Sequence, residues 1–247
     1  MNIILFHEQA RQYTLEHDDP RFQHINHVLK AVEGTELRVG VINGKTGTGV
    51  VTERSPHHLA MSVSWQDGKP LASLPVTVVL GHPRPPVLKR LWRDLAALGV
   101  QEIRVFHGEL GERSYGTSSA WDNPARWLTE GVSQGGHTML PDLSRYGNLR
   151  EALNRDAFES ESPAGRFYGG MKRTGAILPT EISGDSREVS RARVCVGPER
   201  GFTPDEERTL GEYGYHPVYL GPRTLRTETA AVIMTSIAAV LVESHRW

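Results

Sequence analysis

Two glycine-containing segments near the carboxyl end of the chain have the composition of ligand-binding loops. Residues 197–202 (GPERGF) follow one strand-like apolar run, and residues 221–229 (GPRTLRTET) follow another. Glycines at the carboxyl end of a strand let a ligand approach the backbone closely, and open α/β sheets bind their ligands at that edge. We therefore expect two adjacent strand ends to present these segments as the floor and the wall of one pocket.

Charged side chains are concentrated in the second segment. Arg223, Arg226 and Glu228 lie just before or within the start of a helix that the apolar pattern predicts from Thr229. Each segment taken alone also fits a plain connection between elements. Together with the charged groups, the two segments favour a polar binding pocket.

The elements that must position these loops alternate along the chain after Pro75. Apolar runs predict strands at residues 76–80, 102–106, 166–168, 193–196 and 217–220, and helical spacing predicts helices at 87–98, 121–132 and 149–158, from Pro204 and from Thr229. Such alternation is typical of a mostly parallel sheet with helices on both faces. Thr203, Pro204 and Glu206 have the spacing of a capping box at the start of one helix.

The first 72 residues have a different pattern, with short β-like runs at residues 3–6, 36–42, 49–53 and 59–65. Asn43-Gly44 is the dipeptide that best suits a two-residue hairpin turn. Helical spacing from Phe22 predicts one short helix. The sequence thus predicts a small barrel or sheet over residues 1–72 and a separate α/β domain over residues 73–247.

Composition excludes several classes of protein. The 247 residues carry 28 Lys and Arg against 29 Asp and Glu, a net charge of −1, so the chain is not basic all over. The single cysteine, Cys195, cannot form an intrachain disulfide and favours the reducing cytoplasm. No histidines and cysteines have the spacing of metal ligands, so we predict no metal site. The longest apolar run, residues 229–242, is shorter than the roughly 20 residues that span a bilayer.

Several segments together resemble one known family. Residues 196–202 (VGPERGF) and 220–230 (LGPRTLRTETA) closely resemble the two signature loops of the bacterial 16S ribosomal RNA uridine N3-methyltransferases, which belong to the knotted SPOUT superfamily. Residues 24–30 (HINHVLK) resemble the family's amino-terminal His-x-x-x-Val-Leu-Arg stretch, and residues 98–100 (LGV) resemble its Glu-Leu-Gly-Val. The resemblance therefore extends over both halves of the chain.

The resemblance implies a more specific α/β fold than the patterns alone. It implies that residues 1–72 form a PUA-like β-barrel that binds RNA, and that residues 73–247 form a SPOUT methyltransferase domain with a carboxyl-terminal trefoil knot. It also implies a homodimer, and S-adenosyl-L-methionine bound in the knot mainly by backbone groups. Matching the signature loops residue by residue assigns cofactor binding to Gly169, Gly197, Pro198, Glu199, Gly201, Leu220, Gly221, Leu225 and Arg226.

The chemistry that the resemblance implies is the methylation of uracil N3. N3 carries a weakly acidic proton and becomes a good nucleophile only after losing it, so the protein must position the base and stabilise the developing anion. We predict that Arg226 is the cation near the base. Glu228 is either the base that removes the proton or the partner that orients Arg226, and a purely structural pairing of the two is the alternative.

Local clusters of basic residues predict an RNA-binding face, although a solvated charged face is the alternative. These residues are Arg84, Lys89, Arg90, Arg93, Lys172, Arg173 and Arg200, with Trp92 in the same predicted helix as the first group. Three positions depart from the family pattern. Arg200 replaces an expected glycine, Ala97 an expected glutamate, and His137 an expected arginine.

The sequence predicts a cytoplasmic methyltransferase that acts on N3 of a uridine in 16S ribosomal RNA, either free or in the small-subunit particle. Two alternatives stay open at this stage. One is a SPOUT enzyme with a different ribosomal or transfer RNA nucleotide as its substrate. The other is a noncatalytic RNA-binding assembly factor, against which the intact residues 225–229 (LRTET) argue.

Overall fold

The computed structural model describes residues 3–154, 164–170, 175–177 and 189–243, and it divides the chain into two compact units. The amino-terminal unit comprises Met1–Ala72 together with Thr129–Leu140. The carboxyl-terminal unit comprises Ser73–Leu128 and Pro141–Trp247. The grouping of residues 129–140 with the first 72 residues was not predicted.

The amino-terminal unit contains a five-stranded sheet in the order β1-β3-β4-β5-β2. Its strands are β1 (Ile4–Phe6), β2 (Gln12–Glu16), β3 (Glu36–Val41), β4 (Thr46–Arg54) and β5 (His58–Trp65). Strand β2 was not predicted, because only Leu15 within it is buried and its sequence therefore has no alternation of apolar and polar residues. The short helix is confirmed as α1 (Pro20–Gln23), which continues into a π-helical turn over His24–Val28.

A hairpin at Asn43-Gly44 is confirmed, since β3 and β4 pair antiparallel on either side of it, but residues 42–45 separate the strands, so the connection is longer than the two-residue turn that was predicted. Asn43 adopts a left-handed conformation with φ 57°, which asparagine tolerates better than most residues. The segment around Thr138 is bonded to this turn. The Asn43 N–H donates to the Thr138 carbonyl at 2.7 Å, and the Thr138 hydroxyl donates to the Gly44 carbonyl at 2.6 Å.

The carboxyl-terminal unit contains a six-stranded sheet in the order β11-β9-β10-β6-β7-β8, and every pairing in it is parallel among the residues described. The strands are β6 (Leu74–Gly81), β7 (Val100–Phe106), β8 (Asp142–Tyr146), β9 (Ala164–Gly170), β10 (Arg191–Val196) and β11 (His216–Tyr219). The parallel sheet predicted for this half is therefore confirmed. Strand β8 was not predicted, because its five residues are polar or only partly buried.

The helices occur close to their predicted positions. They are α2 (Pro85–Ala97), α3 (Pro124–Gly135), α4 (Leu149–Asn154), α5 (Pro204–Glu212) and α6 (Thr227–Glu243). The end of the helix predicted over residues 149–158 lies outside the described residues. Within the described ranges, no helix combines the length and the apolar character that crossing a membrane requires.

Candidate functional site

The carboxyl ends of three neighbouring parallel strands form the edge at which the glycine segments emerge. The prediction that the two segments follow adjacent strands is wrong, because β9 lies between β10 and β11. In the register of these strands, Tyr168 pairs with Cys195 of β10, and Gly170 pairs with Tyr219 of β11. The central strand therefore brings Gly169 and Gly170 between the two predicted loops.

Three glycines from three segments expose their backbone at or just beyond this edge. Gly169 is the penultimate residue of β9, Gly201 lies in the loop after β10, and Gly221 follows β11. A Cβ atom built on any of these glycines would have no described atom within 4 Å. The backbone at these positions is thus accessible to a bound molecule, which fits the backbone-lined site predicted from the loops.

The loop after β10, residues 197–202, packs tightly against the end of β6. A Cβ atom on Gly81 would stand 2.4 Å from the Pro198 nitrogen, far inside van der Waals contact, so only glycine fits there. A Cβ atom on Gly108 would stand 3.0 Å from the Pro198 ring. The Arg84 N–H donates to the Glu199 carboxylate at 2.9 Å, so the predicted cofactor residue Glu199 also ties this loop to the start of α2.

The predicted capping box at the start of α5 is confirmed and does more than cap the helix. The Glu206 carboxylate accepts from the Thr203 N–H at 2.9 Å and from the Glu109 N–H at 3.0 Å. The Thr203 hydroxyl contacts the Glu109 carboxylate at 2.7 Å. Because Glu206 is only 5% exposed, its two bonds to backbone N–H groups fix the loop after β10 against the segment after β7.

The loop after β11, residues 220–226, carries the predicted catalytic pair and makes fewer contacts. Helix α6 begins at Thr227, two residues earlier than predicted, so Glu228 lies in its first turn. The Glu228 carboxylate lies 4.0 Å from the Arg226 guanidinium and 3.9 Å from that of Arg90. The Arg226 side chain is 84% exposed, whereas that of Glu228 is 21% exposed.

The other residues that were predicted to bind the cofactor from this loop differ in burial and in backbone conformation. Leu220 follows β11 instead of ending it, and Leu225 is partly buried. Gly221 has φ 119°, a conformation that side chains disfavour. The buried Thr227 hydroxyl donates a long hydrogen bond, 3.4 Å, to the Gly197 carbonyl and so links the two loops.

The predicted RNA-binding residues of α2 divide into two groups. Arg84 and Arg90 face Glu199 and Glu228, and therefore border the glycine-lined edge. Lys89 and Arg93 lie 5.6 and 5.0 Å from the centre of the Trp127 ring. Trp92 lies in α2 with these residues, as predicted, but it is fully buried and so is not part of their exposed face.

The remaining RNA-binding predictions lie elsewhere. Arg126 also lies over the Trp127 ring, at 4.9 Å, so Trp127 is the aromatic residue that the basic group surrounds. Arg200 is exposed in the loop after β10. Lys172 and Arg173 lie outside the described residues.

Sequence reasoning missed a buried histidine at this edge. His82 follows β6; its Nδ1 contacts the Pro83 carbonyl at 2.8 Å, and the Trp121 indole N–H donates to its Nε2 at 2.8 Å. Nδ1 therefore carries the ring proton and donates it. Burial lowers the pKa of His82, and the nearby charge of Arg145 lowers it further. The only signal in the sequence was a histidine just after a buried strand.

No metal centre is evident in the part of the chain that the structure describes, where no three His, Cys, Asp or Glu side chains come together as ligands would. The functional groups described at the strand ends are glycine backbone, three arginines and two carboxylates, namely Arg84, Arg90, Arg226, Glu199 and Glu228. Such a set suits a polar organic ligand that is bound by hydrogen bonds.

Comparison with known proteins agrees with this arrangement. Residues 70–239 match the model of the family described as an RNA methyltransferase domain. The ribosomal RNA small subunit methyltransferase E of Treponema pallidum is 31% identical, over 100% of this chain and 93% of its own length. The corresponding protein of Borreliella burgdorferi is 28% identical, over 97% of this chain and 98% of its own length.

Solved structures share the fold. A ribosomal RNA small subunit methyltransferase E from Neisseria gonorrhoeae, crystallised with S-adenosyl methionine, superposes with a TM-score of 0.74 and 23% identity over 99% of this chain and 98% of that one. A probable rRNA-methyltransferase from Porphyromonas gingivalis gives 0.73 and 20% over the full length of both chains. Taken with the sequence matches, which span both units, these findings confirm the predicted family: the chain belongs to the ribosomal RNA small subunit methyltransferase E family.

Proposed function

We propose that this protein transfers the methyl group of S-adenosyl-L-methionine to N3 of a uridine in 16S ribosomal RNA. The observation that carries the proposal is the edge at which β9, β10 and β11 end, where exposed glycine backbone lies near Arg226 and Glu228. Family membership supports the same activity, since the named relatives are small-subunit ribosomal RNA methyltransferases.

The cofactor site of this proposal consists of Gly169 and the two loops. The residues are Gly169, Gly197, Pro198, Glu199, Gly201, Leu220, Gly221, Leu225 and Arg226. Accessible glycine backbone in three segments supports it, because peptide N–H and C=O groups can bind the polar edges of an adenosine and an amino acid. When bound, S-adenosyl-L-methionine supplies an already activated sulfonium methyl group.

Arg226 and Glu228 carry out the protein's part of the chemistry. The exposed Arg226 guanidinium stabilises the negative charge that develops on the uracil as N3 loses its proton. Glu228 lies 4.0 Å from Arg226 and 3.9 Å from Arg90, which favours the orienting role over that of a proton acceptor, and the proton that N3 loses passes to solvent water. A carboxylate at this distance from two guanidinium groups attracts both of them toward the start of α6 while leaving the exposed Arg226 side chain able to move.

The finer description of the fold is also part of the proposal. We assign a PUA-like RNA-binding barrel to residues 1–72 and a SPOUT domain with a carboxyl-terminal trefoil knot to residues 73–247. The five-stranded sheet of the amino-terminal unit and the parallel sheet of the carboxyl-terminal unit are compatible with this assignment. A hydrogen bond from the Thr227 hydroxyl to the Gly197 carbonyl joins the start of α6 to the loop after β10. In a knotted chain these two segments would lie next to each other.

The proposal also covers the RNA-binding surface, the homodimer and the cellular location. The basic group of α2, with Arg200, is assigned to the RNA substrate, because phosphate contacts need cations even where net charge is near zero. A homodimer is proposed from the family resemblance, and the exposed Ile233 and Val240 on α6 are apolar surface that such a partner would cover. The cytoplasm is the proposed location, in keeping with the single cysteine.

Mass mapping of ribosomal RNA tests the function directly. In a strain without the gene, one methylated uridine of the small-subunit RNA should become unmodified, and purified protein with labelled S-adenosyl-L-methionine should restore it on subunits from that strain. Unchanged small-subunit RNA with a change in another RNA would instead identify a different substrate. Unchanged RNA throughout, with no cofactor binding by calorimetry, would identify a noncatalytic RNA-binding protein.

A further inference from the structure

A cleft opens at the same edge of the parallel sheet, beyond the proposed cofactor loops. It has a volume of about 620 Å³ and lies at the ends of β6, β7 and β8, where Gly81, Phe106 and Tyr146 are in register. Ligand sites are commonly 300–1,000 Å³. None of the residues assigned above to the cofactor or to catalysis is among those that line this cleft.

Two arginines border the cleft without an acidic partner among the described residues. Arg113 and Arg145 are both exposed, and no described carboxylate lies within ion-pair distance of either. Other arginines of the same unit, such as Arg150 and Arg208, contact carboxylates at 3.0 and 2.9 Å. Two guanidinium groups at one cleft are suited to a phosphate, which they bind with paired N–H donors.

Partly buried groups contact Arg145 and restrict its position. Its guanidinium lies 5.0 Å from the centre of the Trp121 ring, and a Cβ atom on Gly116 would stand 3.2 Å from its Nη2. Trp121 is in turn held by its hydrogen bond to the buried His82. This chain of contacts restricts the arginine, so less side-chain entropy is lost when it binds a ligand.

The aromatic and open surfaces of the cleft suit a nucleobase. Tyr146 and His107 line it and are partly exposed, and Gly116 and Gly147 also belong to its lining. Proteins read unpaired RNA by stacking bases on aromatic rings and pairing arginines with the backbone. The cleft also adjoins the first loop, because Pro198 packs on Gly81 at the end of β6.

We propose that this cleft binds a nucleotide of the RNA substrate next to the methylated uridine, with Arg113 and Arg145 on its phosphate. This inference rests on the proposed function. It adds a binding site that holds the RNA strand beside the target base, so the uridine is presented to the glycine-lined edge. Neither arginine belongs to the basic group of α2.

Binding measurements with small ribosomal subunits from the strain lacking the gene test this inference. Arg113→Ala and Arg145→Ala should each weaken subunit binding about tenfold, the size of one charge-assisted contact of about 1.4 kcal/mol. The slope of log Kd against log salt should fall by about one for each lost phosphate contact. S-adenosyl-L-methionine affinity and the melting temperature should stay at wild-type values.

Two further variants make the result specific. Arg208→Ala removes one exposed arginine from α5, where it pairs with Asp205, and should bind subunits as the wild type does. Arg145→Lys keeps the charge but loses the planar fork, so it should bind more tightly than Arg145→Ala and less tightly than the wild type.

The outcomes separate this inference from the proposed function. If Arg113→Ala and Arg145→Ala bind subunits as tightly as Arg208→Ala, the cleft does not hold RNA and the inference is wrong. If they lose S-adenosyl-L-methionine instead, the cleft belongs to the cofactor and the inference is again wrong. A wild-type protein that binds subunits but methylates no uridine would contradict the proposed function alone.

Discussion

The two loops of the candidate site differ in how firmly the rest of the carboxyl-terminal unit holds them. The loop after β10 is fixed by the Pro198 contacts with Gly81 and Gly108, by the bond from Arg84 to Glu199, and by Glu206 at its far end. The loop after β11 carries an arginine that is 84% exposed and touches only Glu228 at ion-pair distance among the described residues. The loop after β10 thus offers a rigid surface, and the Arg226 side chain beside it is free to reach a substrate.

This difference suggests that the loop after β10 mainly provides a binding surface, whereas the loop after β11 mainly contacts the substrate. A rigid loop lowers the entropic cost of ordering a binding site when a ligand arrives. An exposed arginine near that site can contact the RNA only once the substrate is in place. Loss of the contacts that hold the first loop should therefore affect stability and cofactor binding, whereas loss of the exposed Arg226 side chain from the second should mainly affect methyl transfer.

Replacement of Arg226 tests the second loop and should have the largest effect. Arg226→Ala should slow methyl transfer by about 10²–10³-fold, as for the loss of one group that stabilises a developing anion. Affinity for S-adenosyl-L-methionine should largely remain. Single-turnover transfer to small subunits, with calorimetry for the cofactor, measures both quantities.

Arg223→Ala is the matched control, because it removes the same charge from the same exposed loop. We expect a much smaller loss for this variant. Equal losses for the two variants would mean that the net charge of the loop matters and the position of Arg226 does not.

Replacement of Glu206 tests the first loop. Glu206→Ala leaves the N–H groups of Thr203 and Glu109 without their buried acceptor, and should lower the free energy of unfolding by about 2–3 kcal/mol. Cofactor affinity should fall with it. Chemical denaturation compares this variant with Glu207→Ala, whose exposed carboxylate should matter by less than about 0.5 kcal/mol. Equal stabilities would show that the loop is held by other contacts.

Acidification should weaken the first loop by a smaller amount through His82, which adjoins Gly81. Because burial lowers the pKa of His82, the folded protein binds its proton less readily than the unfolded chain does. Stability from this group is complete above the ordinary histidine pKa of about 6.5 and is lost as the pH falls below it, toward the lower folded value.

Melting temperatures at pH values on either side of 6.5 measure this effect. His82→Gln should show a smaller drop on acidification than the wild type, although it is less stable at neutral pH. His216→Gln, which replaces an exposed histidine, should show the wild-type drop. A His82→Gln protein with the full wild-type drop would assign the pH dependence to other groups.

Local features of the sequence were enough to predict much of this molecule. The Asn43-Gly44 turn and the capping box of Thr203 and Glu206 depend on residues within a few positions of each other, and both are confirmed. The loop sequences were specific enough to identify the family. Helix starts were correct to within three residues: α5 begins at the predicted Pro204, whereas α3 begins at Pro124, three residues after its predicted start.

Long-range features could not be predicted, because the partners are far apart in the chain. The position of β9 between β10 and β11 depends on pairings that no local pattern encodes. The Glu206 bond to Glu109 joins residues 97 positions apart, and the Arg84 bond to Glu199 joins residues 115 positions apart. Burial of Trp92 also depends on which face of α2 packs inward, which the charged residues around it do not show.

The contact between Gly81 and Pro198 limits which residues can occupy these two positions in related sequences. Because no side chain fits at position 81 while Pro198 keeps its place, the two positions are not free to change independently. A protein of this fold that carries a side chain at the first position must have withdrawn the loop at the second. A comparison of these two positions across related sequences would therefore show which relatives hold the loop after β10 in a different position.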